Sequence, residues 1–200
     1  HDECNALIEA WYPGEQGAQA ICEILFGDIC PSGKLPITIP RNIGQLPIFY
    51  SMKPSGRGYG YVENDGSPLY PFGYGLSYTS FDLSDFTYET DGKSINTKLK
   101  IKNMGNCDGA EVIQMYLTGK NCDVVRPIKE LCAYKHVDVR KNDIQQISLV
   151  IPEEAFFYLD RNMVYDMHDG DYTVTVGTSS VDTIDTAEIK VRDKQIFIID

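Results

Sequence analysis

Long apolar runs are missing from this 200-residue sequence: nothing approaches the roughly 18 uninterrupted apolar residues that a membrane-spanning helix needs, and the N-terminus has no charged-then-apolar leader. Basic residues are in short supply, 18 Lys and Arg against 29 Asp and Glu for a net charge of −11. That balance works against nucleic acid or an anionic membrane as partner, because both require clustered cations to neutralise phosphate. No glycine-rich phosphate loop runs into Lys-Ser/Thr, and no Gly-Xaa-Ser-Xaa-Gly elbow occurs. The three histidines, His1, His136 and His168, are scattered, and Cys4, Cys22, Cys30, Cys107, Cys122 and Cys132 form no CxxC pair. Neither a zinc site nor a cofactor is expected from such spacing. Six cysteines are also sparse for a disulfide scaffold, which favours a reduced, cytoplasmic protein over a secreted one.

What is present divides at two changes of composition. Residues 1–40 have α/β character. Cys4 to Trp11 is short and apolar, as in a strand buried on both faces, although a helix end has the same composition; Pro13 and Gly14 stop it. From Glu15 to Phe26 the apolar positions Ala18, Ile21, Cys22 and Leu25 recur at helical spacing, with Gly27 where a left-handed C-terminal residue belongs. Leu35 to Ile39 reads as the next strand. Residues 41–80 are rich in Gly, Pro, Ser and aromatics (Phe49, Tyr50, Tyr59, Tyr61, Tyr70, Phe72, Tyr74, Tyr78), too aromatic for simple disorder and suited to a connector packed between two domains.

From Phe81 to Asp200 the period becomes two. Seven strands are expected, over 83–89, 94–102, 110–117, 130–139, 143–151, 170–177 and 186–192, each bounded by turn residues. Leu99 and Ile101 alternate with Lys98, Lys100 and Lys102, which assigns one face to a core and the other to water. The fold class is therefore an α/β piece followed by an all-β, fibronectin-like or immunoglobulin-like sandwich over 81–200. The tail Gln195 to Asp200 is apolar enough to need a packing partner.

Several motifs occur in one order: Trp11-Tyr12-Pro13-Gly14-Glu15, Leu25-Phe26-Gly27-Asp28, Pro31-Ser32-Gly33-Lys34-Leu35-Pro36, Pro68 to Tyr78, Gly109 to Tyr116 and Arg126 to Leu131. Together they resemble the C-terminal part of the family-three glycoside hydrolases, the β-glucosidase and β-xylosidase family. The resemblance implies the end of an (α/β)6 domain followed by a fibronectin III-like module, and retaining hydrolysis of terminal β-linked sugars. It places the nucleophile, an aspartate, in an N-terminal barrel, and the acid/base, commonly a glutamate, earlier in the second domain. No catalytic residue is then expected among these 200. The implied partners are the barrel and the upstream half of the α/β domain, with a β-linked oligosaccharide or aryl glycoside as substrate.

Three residues remain candidates for substrate contact. Trp11 and Tyr12 could stack on a sugar ring at the carboxyl end of a strand, and Glu15 sits at a strand-to-helix turn where α/β domains bind ligands. Each has a plainer structural role: core packing for the aromatics, and for Glu15 a favourable place near the positive end of a helix dipole. Asp166, His168, Asp169 and Asp171 are dense in oxygen and nitrogen donors, but their spacing fits a hairpin turn better than a calcium loop. Lys34, Arg57, Arg126 and Lys129 read as surface or inter-domain partners. The rival class is a non-catalytic carbohydrate-binding or protein-interaction module acting through the aromatic loop. The apolar face of the helix has no completed sheet to pack on, so a further chain segment or a second copy, as in a homo-oligomer, is expected to cover it.

Overall fold

The computed structural model describes residues 3–55 and 65–199; His1, Arg57, Tyr59, Tyr61 and Asp200 lie outside the described residues. The one α-helix described, α1 (Gly17–Phe26), begins two residues after Glu15. Pro13 explains the delay. Its ring lies against Gly17 so closely that a Cβ on Gly17 would stand 2.5 Å from the proline Cβ, and the Gly17 N–H bonds Gly14 O at 3.2 Å, closing a turn before the helix starts. Glu15 falls inside that turn, the first helical turn holds no acid, and the dipole role expected for Glu15 is corrected. The helix ends as expected, with Gly27 left-handed at φ 82° and its N–H bonded to Ile24 O.

Neither expected strand of the α/β piece forms. Residues 4–11 are irregular and mostly exposed, and of residues 35–39 only Ile39 makes a bridge, to Tyr70 in the connector. Residues 4–11 have no strand partner, residues 35–39 bond only to the 69–74 stretch of the connector and close a single bridge, and among the described residues no sheet stands beside either segment. For the same reason Ala18, Cys22 and Leu25 are exposed and only Ile21 is partly covered, so Cys22 is not the buried core thiol the periodicity suggests.

The remainder is a sandwich. In chain order its strands are β1 (Phe81–Thr90), β2 (Ile95–Asn103), β3 (Gly109–Gly119), β4 (Glu130–Val139), β5 (Ile144–Ile151), β6 (Phe157–Leu159), β7 (Tyr165–Met167), β8 (Gly170–Gly177), β9 (Asp185–Arg192) and β10 (Gln195–Ile199). One sheet runs β1-β2-β5, the other β10-β9-β8-β3-β4, and β6 and β7 form a separate hairpin. Every described pair is antiparallel. All seven expected strands are present. The expected partner of the apolar tail is β9, with which β10 pairs from Gln195 to Ile199, while the Ile196 N–H bonds Gly92 O at 2.8 Å in the β1–β2 turn.

The inner faces follow the period of two: Ile95, Leu99 and Ile101 from β2 and Ile147, Leu149 and Ile151 from β5 meet Ile113, Met115, Leu117, Val174, Val176, Ile189 and Val191. The β6–β7 hairpin escaped the sequence pattern because each arm has only three residues, too few to show a period. On the open side of the sandwich the outermost strands are tied by side chains, Lys135 Nζ to Ser148 O at 3.2 Å and Gln145 Nε2 to Asp138 O at 2.8 Å.

Truncating the fully buried Leu99 to Ala should cost roughly 3 kcal/mol in urea unfolding, while Val150→Ala, on the exposed face of β5, should stay within about 0.5 kcal/mol. Equal losses would mean that the assigned inner and outer faces of the sheet are wrong.

Candidate functional site

Trp11, Tyr12 and Glu15 lie together on the loop that leads into α1, and all three are exposed, Tyr12 completely. Trp11 adopts φ 51°, an uncommon conformation for a bulky residue, with its N–H bonded to Glu9 Oε1 at 3.1 Å. The indole and phenol rings are thus free of the core packing expected for them, and this loop stands open.

The loop's position is set by how the first 80 residues sit on the sandwich. Residues 35–39 run antiparallel to 69–74, with Leu35 N to Tyr74 O, Gly73 N to Leu35 O and Leu69 N to Ile39 O all at 2.8 Å. This ribbon then meets the outer face of β3. Gln114 is buried there and donates from Nε2 to Gly73 O at 3.2 Å and to Thr178 O at 2.6 Å, while its Oε1 accepts from the Tyr116 hydroxyl at 2.5 Å. Gly73 has to be glycine: at φ 79° a Cβ would sit 2.1 Å from Gln114 Oε1. Burial pushes the Tyr116 phenol well above its ordinary range, so it stays a donor. Tyr50 stacks on Phe72 at 4.3 Å and meets Tyr116 edge-on at 5.8 Å. Lys129 lies 5.2 Å from the Tyr116 ring centroid and donates to Ser180 O at 2.6 Å, and burial pulls its ammonium pKa down.

A second anchor is ionic. Lys34 Nζ stands 2.7 Å from Glu111 Oε1, both side chains nearly 90% buried, and also donates to Gly75 O at 3.1 Å. Tyr78 reaches back to α1, its hydroxyl donating to Ile24 O at 2.7 Å. Of the residues read from the sequence as surface or inter-domain partners, Lys34 joins the first 80 residues to the sandwich, whereas Lys129 is partly buried and bonds within the sandwich. Arg126 is buried over the Tyr158 ring at 4.6 Å and bonds Glu130 through Nε and Nη2. Gln114 and Glu111 were missed, although a polar residue inside the apolar run Val112 to Leu117 was a visible sign that the outer face of β3 is covered.

The acidic cluster is spent on its neighbours. Asp166 pairs with Lys194, Asp171 with Asn121 and Arg192 at 2.7 Å each, Asp169 accepts from the Asp193 N–H at 2.9 Å, and His168 Nε2 lies 3.2 Å from Val164 O. Among the described residues no group of three or more His, Cys, Asp or Glu is placed to hold a metal ion. Side-chain bonds from Lys194 hold Asp166 below the usual carboxylate range, as Asn121 and Arg192 do Asp171 and Lys120 does Glu188; backbone N–H groups do the same for Asp91 and Asp160. Every described carboxyl with a resolved shift moves downward. That suits turn caps and surface pairs, whereas a general acid needs a raised pKa.

Residues 1–78 match the model of the glycosyl hydrolase family 3 C-terminal domain, and residues 111–180 that of the fibronectin type III-like domain. The chain belongs to glycoside hydrolase family 3. It is 38% identical to a periplasmic β-glucosidase of Salmonella typhimurium, over 89% of this chain and 25% of that protein. To a putative β-xylosidase of Formosa agariphila it is 39% identical, over 90% and 24%. The crystal structure of a β-glucosidase from Listeria innocua in complex with glucose superposes with a TM-score of 0.89 at 31% identity, covering 95% of this chain and 28% of that one. This family 3 chain therefore spans about a quarter of the length of the relatives it matches.

Two predictions follow from the docking geometry. Lys34→Met leaves the Glu111 carboxylate buried and unpaired and should cost about 3–5 kcal/mol, whereas adding Glu111→Leu should recover most of the loss; additive losses in a double-mutant cycle would show that the pair is not coupled. Because Asp91, Asp160, Asp166, Asp171 and Glu188 titrate lower in the fold than in the unfolded chain, their stabilisation is complete above the ordinary carboxylate range and is lost as pH falls through the depressed values. The urea midpoint at about pH 3 should lie clearly below that at about pH 6.

Proposed function

We propose that this chain is the C-terminal part of a retaining β-glycosidase that removes terminal β-linked sugars, and that it supplies one wall of the active-site cleft together with a supporting sandwich. One observation carries the proposal: the family 3 C-terminal domain and the fibronectin type III-like domain fall on one chain in order, and the segments that match them are joined by buried contacts rather than by a loose tether. In this reading residues 1–40 are the end of the α/β domain, 41–80 the connector and 81–200 the sandwich. The catalytic carboxylates belong to the barrel and the upstream α/β segment, which also cover the exposed face of α1.

Trp11 and Tyr12 are proposed to face the sugar as stacking surfaces, with Glu15 as a polar neighbour. Their exposure on the loop before α1 supports this, since open α/β folds bind ligands beyond the carboxyl ends of their strands.

The 200-residue chain alone is expected to give no turnover of aryl β-glucosides or β-xylosides. A protein that joins a family 3 barrel and upstream α/β segment to this chain should hydrolyse one of them, with the β-anomer formed first by NMR. An α-anomer as first product would rule out the retaining assignment. Hydrolysis by the chain alone that vanishes in Glu15→Gln would move the catalytic machinery into these residues. In the joined protein Trp11→Ala should raise KM several-fold with little change in kcat; unchanged kinetics would remove Trp11 from the substrate site.

A further inference from the structure

The composition of the connector calls for a segment packed between two domains, yet only one side of it is packed. Tyr50 stacks on Phe72 and meets Tyr116 of β3, and the Ile128 N–H bonds Met52 O at 2.8 Å. Just before this seat lies a 3-10 turn, Ile43–Gln45, with apolar side chains in water. Ile43 is 85% exposed, Leu46 57% and Phe49 49%. A 3-10 helix repeats every three residues, which puts Ile43 and Leu46 on one side, and the Leu46 N–H bonds Ile43 O at 3.2 Å.

The turn is held from inside by a buried amide. Gln45 Oε1 accepts from the Arg41 N–H at 2.5 Å and the Asn42 N–H at 3.4 Å, and its Nε2 donates to Ser67 O at 3.0 Å. Asn42 Oδ1 accepts from the Gly44 N–H at 2.9 Å, and Arg41 Nη2 donates to Ser67 Oγ at 3.3 Å. An apolar set displayed on a support fixed by polar bonds marks a place where another surface packs.

The backbone indicates what kind of surface that is. A sheet grows by pairing strand edges, and the segments suited to the sheet of the α/β domain are residues 4–11 and 35–39. In the turn the N–H groups of Arg41, Asn42, Gly44, Gln45 and Leu46 are all taken within the connector, so it offers side chains rather than a strand edge. That is the contact of one domain with another. The relatives carry a further body of ample size, since this chain covers only 25% of the Salmonella protein and 28% of the Listeria chain.

Resting on the glycosidase reading above, we propose that Ile43, Leu46 and Phe49 are a docking seat for the catalytic barrel of the same enzyme. The connector then lies between two domains, with the sandwich against Tyr50 and the barrel against Ile43. Through it the sandwich braces the barrel.

Hydroxyl-radical footprinting with peptide mapping, normalised to an added peptide standard, compares the 200-residue chain with the protein that joins barrel, upstream α/β segment and this chain. Oxidation at Leu46 and Phe49 is expected to fall several-fold in the joined protein; unchanged oxidation at both would overturn the proposal. The occupant is identified with Ile43→p-benzoylphenylalanine, which on irradiation of the joined protein should cross-link to a barrel peptide. Cross-links to the upstream α/β segment, or between two copies, would overturn the barrel as occupant even where the footprint is protected. The two readings separate cleanly. A joined protein that hydrolyses aryl β-glycosides while Leu46 and Phe49 stay reactive refutes the seat and keeps the glycosidase, whereas protection with a barrel cross-link but no hydrolysis does the reverse.

Discussion

A primary amide taken into the interior of a protein must find partners for its donors and acceptors, and Gln114 finds them in three different parts of the molecule. Its nitrogen holds Gly73 in the connector and Thr178 after β8, and its oxygen holds Tyr116 two residues along the same strand. The bond to Tyr116 depends on the strand period, which sets residues 114 and 116 on one face. Gly73 approaches only because it has no Cβ, and Tyr50 and Phe72 close over the result. Together with the Lys34–Glu111 pair, this arrangement seats the ribbon of residues 35–39 and 69–74 on the sandwich. The Tyr78 hydroxyl then ties α1, and with it the loop bearing Trp11, Tyr12 and Glu15, to that seat.

The sandwich was legible because its strands announce themselves twice, by alternation and by the turn residues between them. In β2 the lysines alternate with Ile95, Thr97, Leu99 and Ile101 on a strand open to water on one side, and the burial found is the burial expected. In β3 alternation disappears, because both faces are covered: Ile113, Met115 and Leu117 by the opposing sheet, Gln114 and Tyr116 by the connector. The two strands expected before residue 40 failed for the opposite reason. Their composition describes a buried environment within a sheet, and among the described residues no sheet stands beside them, only the 69–74 stretch against residues 35–39. Composition reports the surroundings a segment is suited to, and geometry reports those it has.

The candidate site divides along the same line. Lys34 could be read as an inter-domain partner because a lysine in a motif flanked by glycine is seldom a core residue, whereas Lys129 turned inward to partners in its own sandwich. The open placement of Trp11 and Tyr12 could not be read, since large aromatics look alike whether they pack a core or await a ligand. The start of α1 was displaced by one proline whose ring occupies the space beside Gly17, a steric fact that periodicity does not carry.

The two side-chain ties across the open side of the sandwich have a consequence for behaviour in solution. Exposed strand edges are templates on which another chain can add its own strand. Here Lys135 and Gln145 already occupy carbonyls of Ser148 and Asp138, the first bringing a positive charge to the rim. A β-domain that joins a larger assembly through one face is thereby discouraged from polymerising through its edges, and concentrated solutions of it should remain free of cross-β aggregates.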